Sequence, residues 1–201
     1  RHTRSCLKSR GLGDVYKRQV QDYAQRYLDF AQPLRRGGEF FIDKTPGNFH
    51  HVGLIKTLFP KARIIDARRN PMASGWSLYK HFFADSFLFS YDLETIGEYF
   101  NDYVELMDHW HAVLPGQILT LQYEDLVNDL PAAVDSLLRY CSLPFEKSCL
   151  DFHENRRAVA TPSSEQVRIP LYRSALDHWK NYQEFLQPLS QVIDKRDPVG
   201  E

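Results

Sequence analysis

The stretch that decides the fold reads Lys61-Ala62-Arg63-Ile64-Ile65-Asp66-Ala67-Arg68-Arg69-Asn70-Pro71. Its first seven residues are typical of a short buried strand. The apolar residues that follow, among them Met72, Trp76 and Tyr79, are spaced for one face of a helix. Asn70 is a favoured N-cap, and Pro71 suits the first helical turn. The sequence therefore predicts a strand that opens onto a helix N-terminus.

An arginine at such a turn is a candidate anion-binding residue. The guanidinium of Arg69 offers a rigid fork of donors, and the N–H groups of a first helical turn are ordinarily unpaired. Ser77 follows on the predicted helix and adds a hydroxyl. The pattern is short, and two structural roles compete with binding. Arg69 can pair with a neighbouring carboxylate, and Ser77 can hydrogen-bond to the carbonyl one turn back.

Two further strands are predicted, over Glu39–Ile42 and Gln117–Tyr123, and a strand over Ala62–Ala67 lies between them. Helices are predicted from residues 20 to 31, 49 to 59, 71 to 83, 93 to 110, 131 to 141 and 172 to 185, with a loop over residues 154–170. Strands that alternate with helices form parallel sheets in α/β folds. Ligands of such folds bind beyond the carboxyl ends of the strands, where Lys44, Arg69 and Tyr123 fall.

Four segments stand out in this order: Phe40-Phe41-Ile42-Asp43-Lys44-Thr45-Pro46, Arg69-Asn70-Pro71 with Ser77, Leu119 to Leu126, and Ser163 to Tyr172 followed by Trp179. Together they resemble the sulfotransferase family that uses 3′-phosphoadenosine 5′-phosphosulfate (PAPS). The chain is most similar to bacterial members that resemble tyrosylprotein sulfotransferases and often carry tetratricopeptide repeats. The resemblance covers residues 20–201 and implies a P-loop-NTPase-like α/β fold with a parallel sheet flanked by helices.

The resemblance also implies roles for the matched residues. Lys44 would be catalytic, beside the bridging oxygen and the transferring sulfuryl group. The residues that would contact PAPS are Arg69, Ser77, Tyr123, Ser163, Ser164, Gln166, Val167, Tyr172 and His178. Histidines replace two basic residues of the family: His178 stands where a Lys precedes the later Trp, and His81 stands where a second Arg follows the phosphate-binding Ser. No metal is implied, because the donor is already activated.

The family's Gly/Ser-rich loop for the 5′-phosphosulfate is not found in the sequence. Residues 1–19 include Ser9-Arg10-Gly11-Leu12-Gly13-Asp14-Val15-Tyr16-Lys17-Arg18-Gln19, which lacks a helical or strand period and resembles a translated sequencing adapter of a metagenome-derived chain. A genuine basic arm is the alternative. We therefore expect a non-native tail over 1–19 and the carboxy-terminal part of a sulfotransferase domain over 20–201. We expect the first strand and the phosphosulfate loop of that domain to be missing. We also expect this fragment to be inactive on its own.

Composition limits the class of protein. The 201 residues carry a net charge of −1 and include 13 Phe, 11 Tyr and 3 Trp, enough to fill a core. Six basic residues and one acidic residue lie in the first 19, so the remainder is acidic, which argues against nucleic acid as a partner. No apolar run reaches a membrane span. Three cysteines are too few for a disulfide framework, so a cytoplasmic location is expected.

Other functions stay open from the sequence alone. A P-loop kinase or another nucleotide-binding protein has similar topology, but neither a phosphate loop nor acidic Mg²⁺ motifs occur. A non-catalytic fragment is the third possibility. His109 and His111 lie on different helix faces, so they do not form a zinc site. The sequence does not distinguish among the possible acceptors, which are a peptide tyrosine, a carbohydrate, a small hydroxyl compound and an amine.

Overall fold

The computed structural model of the chain describes residues 2–35, 37–84, 87–155 and 166–193, with side chains for all of these except 2–12, 166, 174 and 175. The described residues fall into two compact units, which divide between residues 62 and 63.

The first unit is helical. It contains helix α1 (His2–Ala31), 3₁₀ helices at Gln32–Arg35 and Pro46–His51, and helix α2 (Val52–Leu58). Helix α1 packs against α2. The rings of Tyr27 and Phe59 lie 5.2 Å apart, and Ala31 and Val52 are buried. The predicted helices over residues 20–31 and 49–59 are thus present, the second one beginning as a 3₁₀ turn.

The predicted helices do not include residues 9–19, because their sequence lacks an amphipathic period, yet these residues belong to α1, and the described side chains of residues 13–19 are exposed. Side chains that face solvent need no such period. One expectation for this unit is wrong. The predicted strand at Glu39–Ile42 does not form, because a strand needs a hydrogen-bonding neighbour and a face to bury. Phe40 and Ile42 are 65% and 91% exposed.

The second unit is built on a parallel pair of strands, β1 (Ile64–Arg68) and β2 (Ile118–Gln122). Ile64 lies opposite Ile118, and the register runs in step to Arg68 opposite Gln122. The pairing confirms the predicted parallel α/β arrangement, with two strands among the described residues where three were expected.

Helices connect and cover these strands. They are α3 (Pro71–Tyr79), α4 (Leu93–Val113), α5 (Tyr123–Asn128), α6 (Leu130–Cys141), α7 (Ser174–Asp177) and α8 (Gln187–Val192), with 3₁₀ helices at Leu88–Tyr91, Lys147–Cys149, Phe152–Glu154, Gln166–Arg168 and His178–Leu186. The predicted helix over 172–185 is therefore mainly 3₁₀, and α5 was not predicted. Of the predicted loop over 154–170, residues 156–165 lie outside the described residues.

The core of this unit lies where α3, α4 and α8 meet. Met107, Leu186 and Leu189 are almost fully buried, and Ile96 is 2% exposed. Gly97 lets α4 approach α8 closely: a Cβ at this position would lie 2.9 Å from both Cβ and Cγ1 of Val192. Because Val192 Cβ is fixed to the backbone, a side chain at Gly97 would push the two helices apart.

We expect Gly97→Ala to destabilise the protein. Overpacking costs about 1–3 kcal/mol, which exceeds the gain of about 1 kcal/mol from replacing glycine in a helix. Urea unfolding should show the loss. Gly47→Ala is the control, because nothing lies within 4 Å of its added Cβ. A Gly97→Ala protein as stable as the wild type would refute the close helix contact.

Candidate functional site

The strand ends bring Arg69 and Tyr123 together. Each residue directly follows a strand, and the last residues of the two strands, Arg68 and Gln122, lie opposite each other. The guanidinium carbon of Arg69 lies 5.1 Å from the centre of the Tyr123 ring. A cation over an aromatic face is attracted by the ring and held in orientation. Two residues that the sequence separates by 54 positions thus share one site at the carboxyl end of the sheet.

The phenol of Tyr123 is held in its protonated form. Burial raises its pKa above the ordinary value, Arg69 opposes that shift, and electrostatic interactions with Tyr172 and Glu124 add to it. The same interactions place Tyr172 and Glu124 close to the Arg69–Tyr123 pair. Among the described residues, the site therefore brings together the Arg69 guanidinium, the Glu124 carboxylate and the hydroxyls of Tyr123 and Tyr172.

The turn after Arg69 confirms the predicted N-cap, Asn70. The Asn70 Oδ1 atom accepts a hydrogen bond from the Ala73 N–H at 3.1 Å, and Pro71 occupies the first helical position. The Asn70 N–H donates to Glu124 Oε1 at 2.9 Å. We expected unpaired N–H groups at this helix end, and for Asn70 and Ala73 that expectation is wrong. An anion here would rely on side chains more than on these two amides.

A buried ion pair lies immediately before the site. Asp66 and Arg68 project from the same side of β1 as residues i and i+2. Arg68 Nε donates to Asp66 Oδ2 at 2.7 Å, and the Tyr103 hydroxyl of α4 donates to Asp66 Oδ1 at 2.5 Å. Burial and the Asp66 charge hold the pKa of Tyr103 far above its ordinary value, with Arg68 opposing. Both carboxylate oxygens of Asp66 are thus paired, which anchors the end of β1 to α4.

Helix α3 carries Ser77 and, through Trp76, contacts an aromatic cluster. Ser77 is half-buried, and its carbonyl oxygen accepts from His81 Nδ1 at 2.9 Å. The neighbouring Trp76 ring stacks on Tyr182 with centroids 4.3 Å apart, and its indole N–H donates to His178 Nδ1 at 3.4 Å. The predicted contact residue His178 therefore lies against the helix that carries Ser77. His81 uses one ring nitrogen within its own helix end.

Lys44 lies in the first unit, in the irregular segment before the 3₁₀ helix Pro46–His51, and is exposed. The preceding Asp43 is anchored from two elements. The Tyr27 hydroxyl of α1 donates to Asp43 Oδ2 at 2.5 Å, and Asn48 Nδ2 donates to Asp43 Oδ1 at 3.4 Å. Burial, then the hydrogen bond and charge of Asp43, raise the pKa of Tyr27 to about 12. The backbone just before Lys44 is fixed although the segment is not a strand.

The predicted closing segment is described only in part. Ser163 and Ser164 lie outside the described residues. Gln166 begins a 3₁₀ helix, Val167 is 37% exposed and Tyr172 is 41% exposed. Tyr172 lies near enough to Tyr123 to contribute to the raised pKa of its phenol.

A cleft of about 500 Å³ opens between the first turn of α3 and the chain around residues 179–190. Its lining residues are Met72, Trp179, Lys180, Gln183, Glu184, Gln187 and Ser190. Trp179, the aromatic residue of the fourth sequence motif, therefore faces a space large enough for a small ligand group.

Sequence reasoning did not find Asp66, Tyr103 or Glu124. Asp66 could have been noticed as a carboxylate within an apolar strand, two residues from an arginine on the same face. Glu124 could have been noticed in the first turn after a strand. Tyr103 could not, because its partner is 37 residues away on another element.

Two further observations concern the described part of the chain. Its Asp, Glu, His and Cys side chains form no group of three or more that could hold a metal ion. None of its helices combines the length and the apolar character that crossing a membrane requires.

We expect Tyr103→Phe to destabilise the protein by about 1–3 kcal/mol, because one oxygen of the buried Asp66 carboxylate would lose its donor. The measurement is urea unfolding. Tyr79→Phe removes the same atom from a tyrosine that is 42% exposed and should change stability by less than about 0.5 kcal/mol. Equal effects of the two substitutions would contradict the anchoring role.

Comparison with known proteins identifies the family. An uncharacterised protein of Aquifex aeolicus (strain VF5) is 36% identical over 182 residues, which are 89% of this chain and 24% of that relative, so the chain spans about a quarter of that relative's length. A model of the sulfotransferase family matches residues 2–147. The match includes Lys44, both strands and the Arg69 turn, and the α/β architecture fits a partial P-loop-like sulfotransferase fold. The chain therefore belongs to the sulfotransferase family.

Proposed function

We propose that this chain serves the transfer of a sulfuryl group from PAPS to a hydroxyl or amine acceptor. The observation that carries the proposal is the Arg69 guanidinium held over Tyr123 where the two parallel strands end. Family membership supports sulfuryl transfer as the general reaction. It also favours a sulfotransferase over the kinase that the sequence alone left open.

The donor half of the proposal is the binding of PAPS, and it concerns the 3′-phosphate of that molecule. A planar guanidinium can rest on a tyrosine ring and still direct N–H donors at a phosphate from its edge. Ser77 would add a hydroxyl, and His178 would approach from the side of Trp76. Tyr123 would lie beside the adenosine. Ser163, Ser164, Gln166, Val167 and Tyr172 are proposed to cover the bound nucleotide.

The transfer half of the proposal concerns Lys44. When bound, PAPS supplies an activated sulfuryl group whose leaving oxygen gains negative charge. A compact ammonium group suits that oxygen, because a positioned charge lowers the barrier most where charge develops. The anchored Asp43 fixes the backbone from which the Lys44 side chain extends. No step of this scheme requires a metal ion.

The acceptor is proposed by chemical class. A tyrosine of a peptide, a carbohydrate hydroxyl and a small hydroxyl compound all provide the nucleophilic oxygen. Cys141 and Cys149 are thiols, which accords with a reducing cytoplasm as the proposed location.

Nucleotide binding tests the donor half. We expect adenosine 3′,5′-bisphosphate to bind more tightly than AMP in calorimetry. Arg69→Ala should remove about 1.5–3 kcal/mol of that preference, the range for a hydrogen bond to a charged group.

The matched control is Arg63→Ala, just before the opposite end of β1, where the arginine donates to Ser142 Oγ at 3.0 Å. It should leave the preference unchanged. If wild-type protein binds the two nucleotides equally well, the 3′-phosphate site does not exist.

Turnover tests the transfer half. Lys44→Ala in the full-length protein should lower the turnover number about 100- to 1,000-fold with little change in PAPS affinity, as loss of a positioned charge does. Radiolabelled PAPS and a panel of phenolic, carbohydrate and peptide acceptors provide the assay. Lys61→Ala, an exposed lysine of the same unit, is the control. A Lys44→Ala enzyme that turns over normally but binds PAPS weakly would refute the assignment.

A further inference from the structure

Glu124 occupies an unexpected place for a carboxylate. It lies in the first turn of α5, directly after Tyr123, and its charge reaches the phenol that supports Arg69. A negative charge beside an anion site repels the anion. On charge alone, Glu124 therefore weakens the site in which it sits.

The contacts of Glu124 explain its presence. Oε1 accepts the Asn70 N–H at 2.9 Å, which joins the turn after β1 to the helix after β2. Oε2 is buried and accepts no hydrogen bond from the residues that the structure describes. Burying a carboxylate oxygen without a donor is unfavourable, and the bond that Oε1 accepts from Asn70 offsets part of that cost.

The hydrogen bond between Asn70 and Glu124 also affects the preceding residue, Arg69. Arg69 is bonded through its carbonyl to the Asn70 N–H group, so fixing that N–H fixes the peptide plane from which the Arg69 side chain departs. Asn70 in turn caps α3, the helix that carries Ser77. The bond to Glu124 therefore helps to hold the direction of Arg69 relative to Tyr123 and to the start of α3.

We propose that Glu124 is a positioning residue, which orients the Arg69 turn for a 3′-phosphate through the Asn70 N–H and does so in spite of its charge. The proposal rests on the proposed function, since it assumes that Arg69 binds that phosphate. It predicts that shortening the Glu124 side chain weakens phosphate binding, whereas electrostatic repulsion predicts that removing its charge strengthens binding.

Two substitutions of Glu124 separate the effect of its side-chain length from the effect of its charge. Glu124→Gln keeps the side-chain length and an acceptor oxygen but removes the charge. Glu124→Asp keeps the charge but is one methylene shorter, so it does not reach the Asn70 N–H from the same backbone. Asp125→Asn, an exposed neighbour on the same helix, is the control for removing one negative charge nearby.

Calorimetry on the 201-residue chain with adenosine 3′,5′-bisphosphate and AMP provides the first readout. We expect Glu124→Asp to weaken bisphosphate binding about 10-fold and AMP binding less than about 2-fold, and Glu124→Gln to stay within about 3-fold of wild type. Asp125→Asn should change neither affinity. Tighter bisphosphate binding by Glu124→Gln together with unchanged binding by Glu124→Asp would overturn the proposal in favour of simple repulsion.

Amide hydrogen exchange at Asn70 provides a readout without ligand. Exchange should accelerate about 10-fold in Glu124→Asp and stay slow in Glu124→Gln. Unchanged exchange in Glu124→Asp would overturn the proposal. If wild-type protein shows no preference for the bisphosphate, the proposed function fails. If it shows the preference and Glu124→Asp keeps it, the proposed function stands and only the role of Glu124 is refuted.

Discussion

The parallel register of β1 and β2 is the constraint on which the site depends. Arg68 lies opposite Gln122, so the chain leaves both strands at the same level, and the next residues on each side are Arg69 and Tyr123. A shift of one residue would reverse the faces that the side chains occupy. Arg69 would then lose its position over the Tyr123 ring, and Glu124 would no longer face the Asn70 N–H. The geometry of the candidate anion site is therefore a direct product of strand pairing.

Carboxylates hold the end of β1 and the turn that follows it at two points. Asp66 ties β1 to α4 through Tyr103 and neutralises Arg68, and Glu124 ties the following turn to α5. A buried ion pair contributes little net stability, because desolvation offsets the attraction. The geometry of such a pair is nevertheless specific. Removing one member leaves a buried charge without compensation, which strongly destabilises the folded state. These carboxylates thus favour one arrangement of the strand ends over its alternatives rather than adding greatly to the free energy of unfolding.

The sequence predicted the elements with strong local patterns and missed those that depend on distant partners. Strand β1, the Asn70 cap and helix α4 follow from apolar spacing and capping, and the structure confirms all three. The meeting of Arg69 and Tyr123 follows from the general rule for parallel strand ends. The strand predicted at 39–42 has strand-like residues but no described neighbour, and the helix over residues 9–19 has no period to reveal it. Tyr103 meets Asp66 through the crossing of α4 over the sheet, which no local pattern encodes.

Consecutive arginines at the end of β1 show how context assigns different tasks to the same side chain. Each guanidinium lies over a tyrosine ring, Arg68 at 5.4 Å from Tyr103 and Arg69 at 5.1 Å from Tyr123. Asp66 shares the strand face of Arg68 and accepts its Nε–H group, so that charge is neutralised within the protein. Arg69 directly follows the strand, at the turn whose Asn70 N–H donates to Glu124 Oε1. A lysine can also lie over an aromatic ring, as Lys80 does over Trp76 at 5.9 Å, but its ammonium lacks the planar fork of donors of a guanidinium.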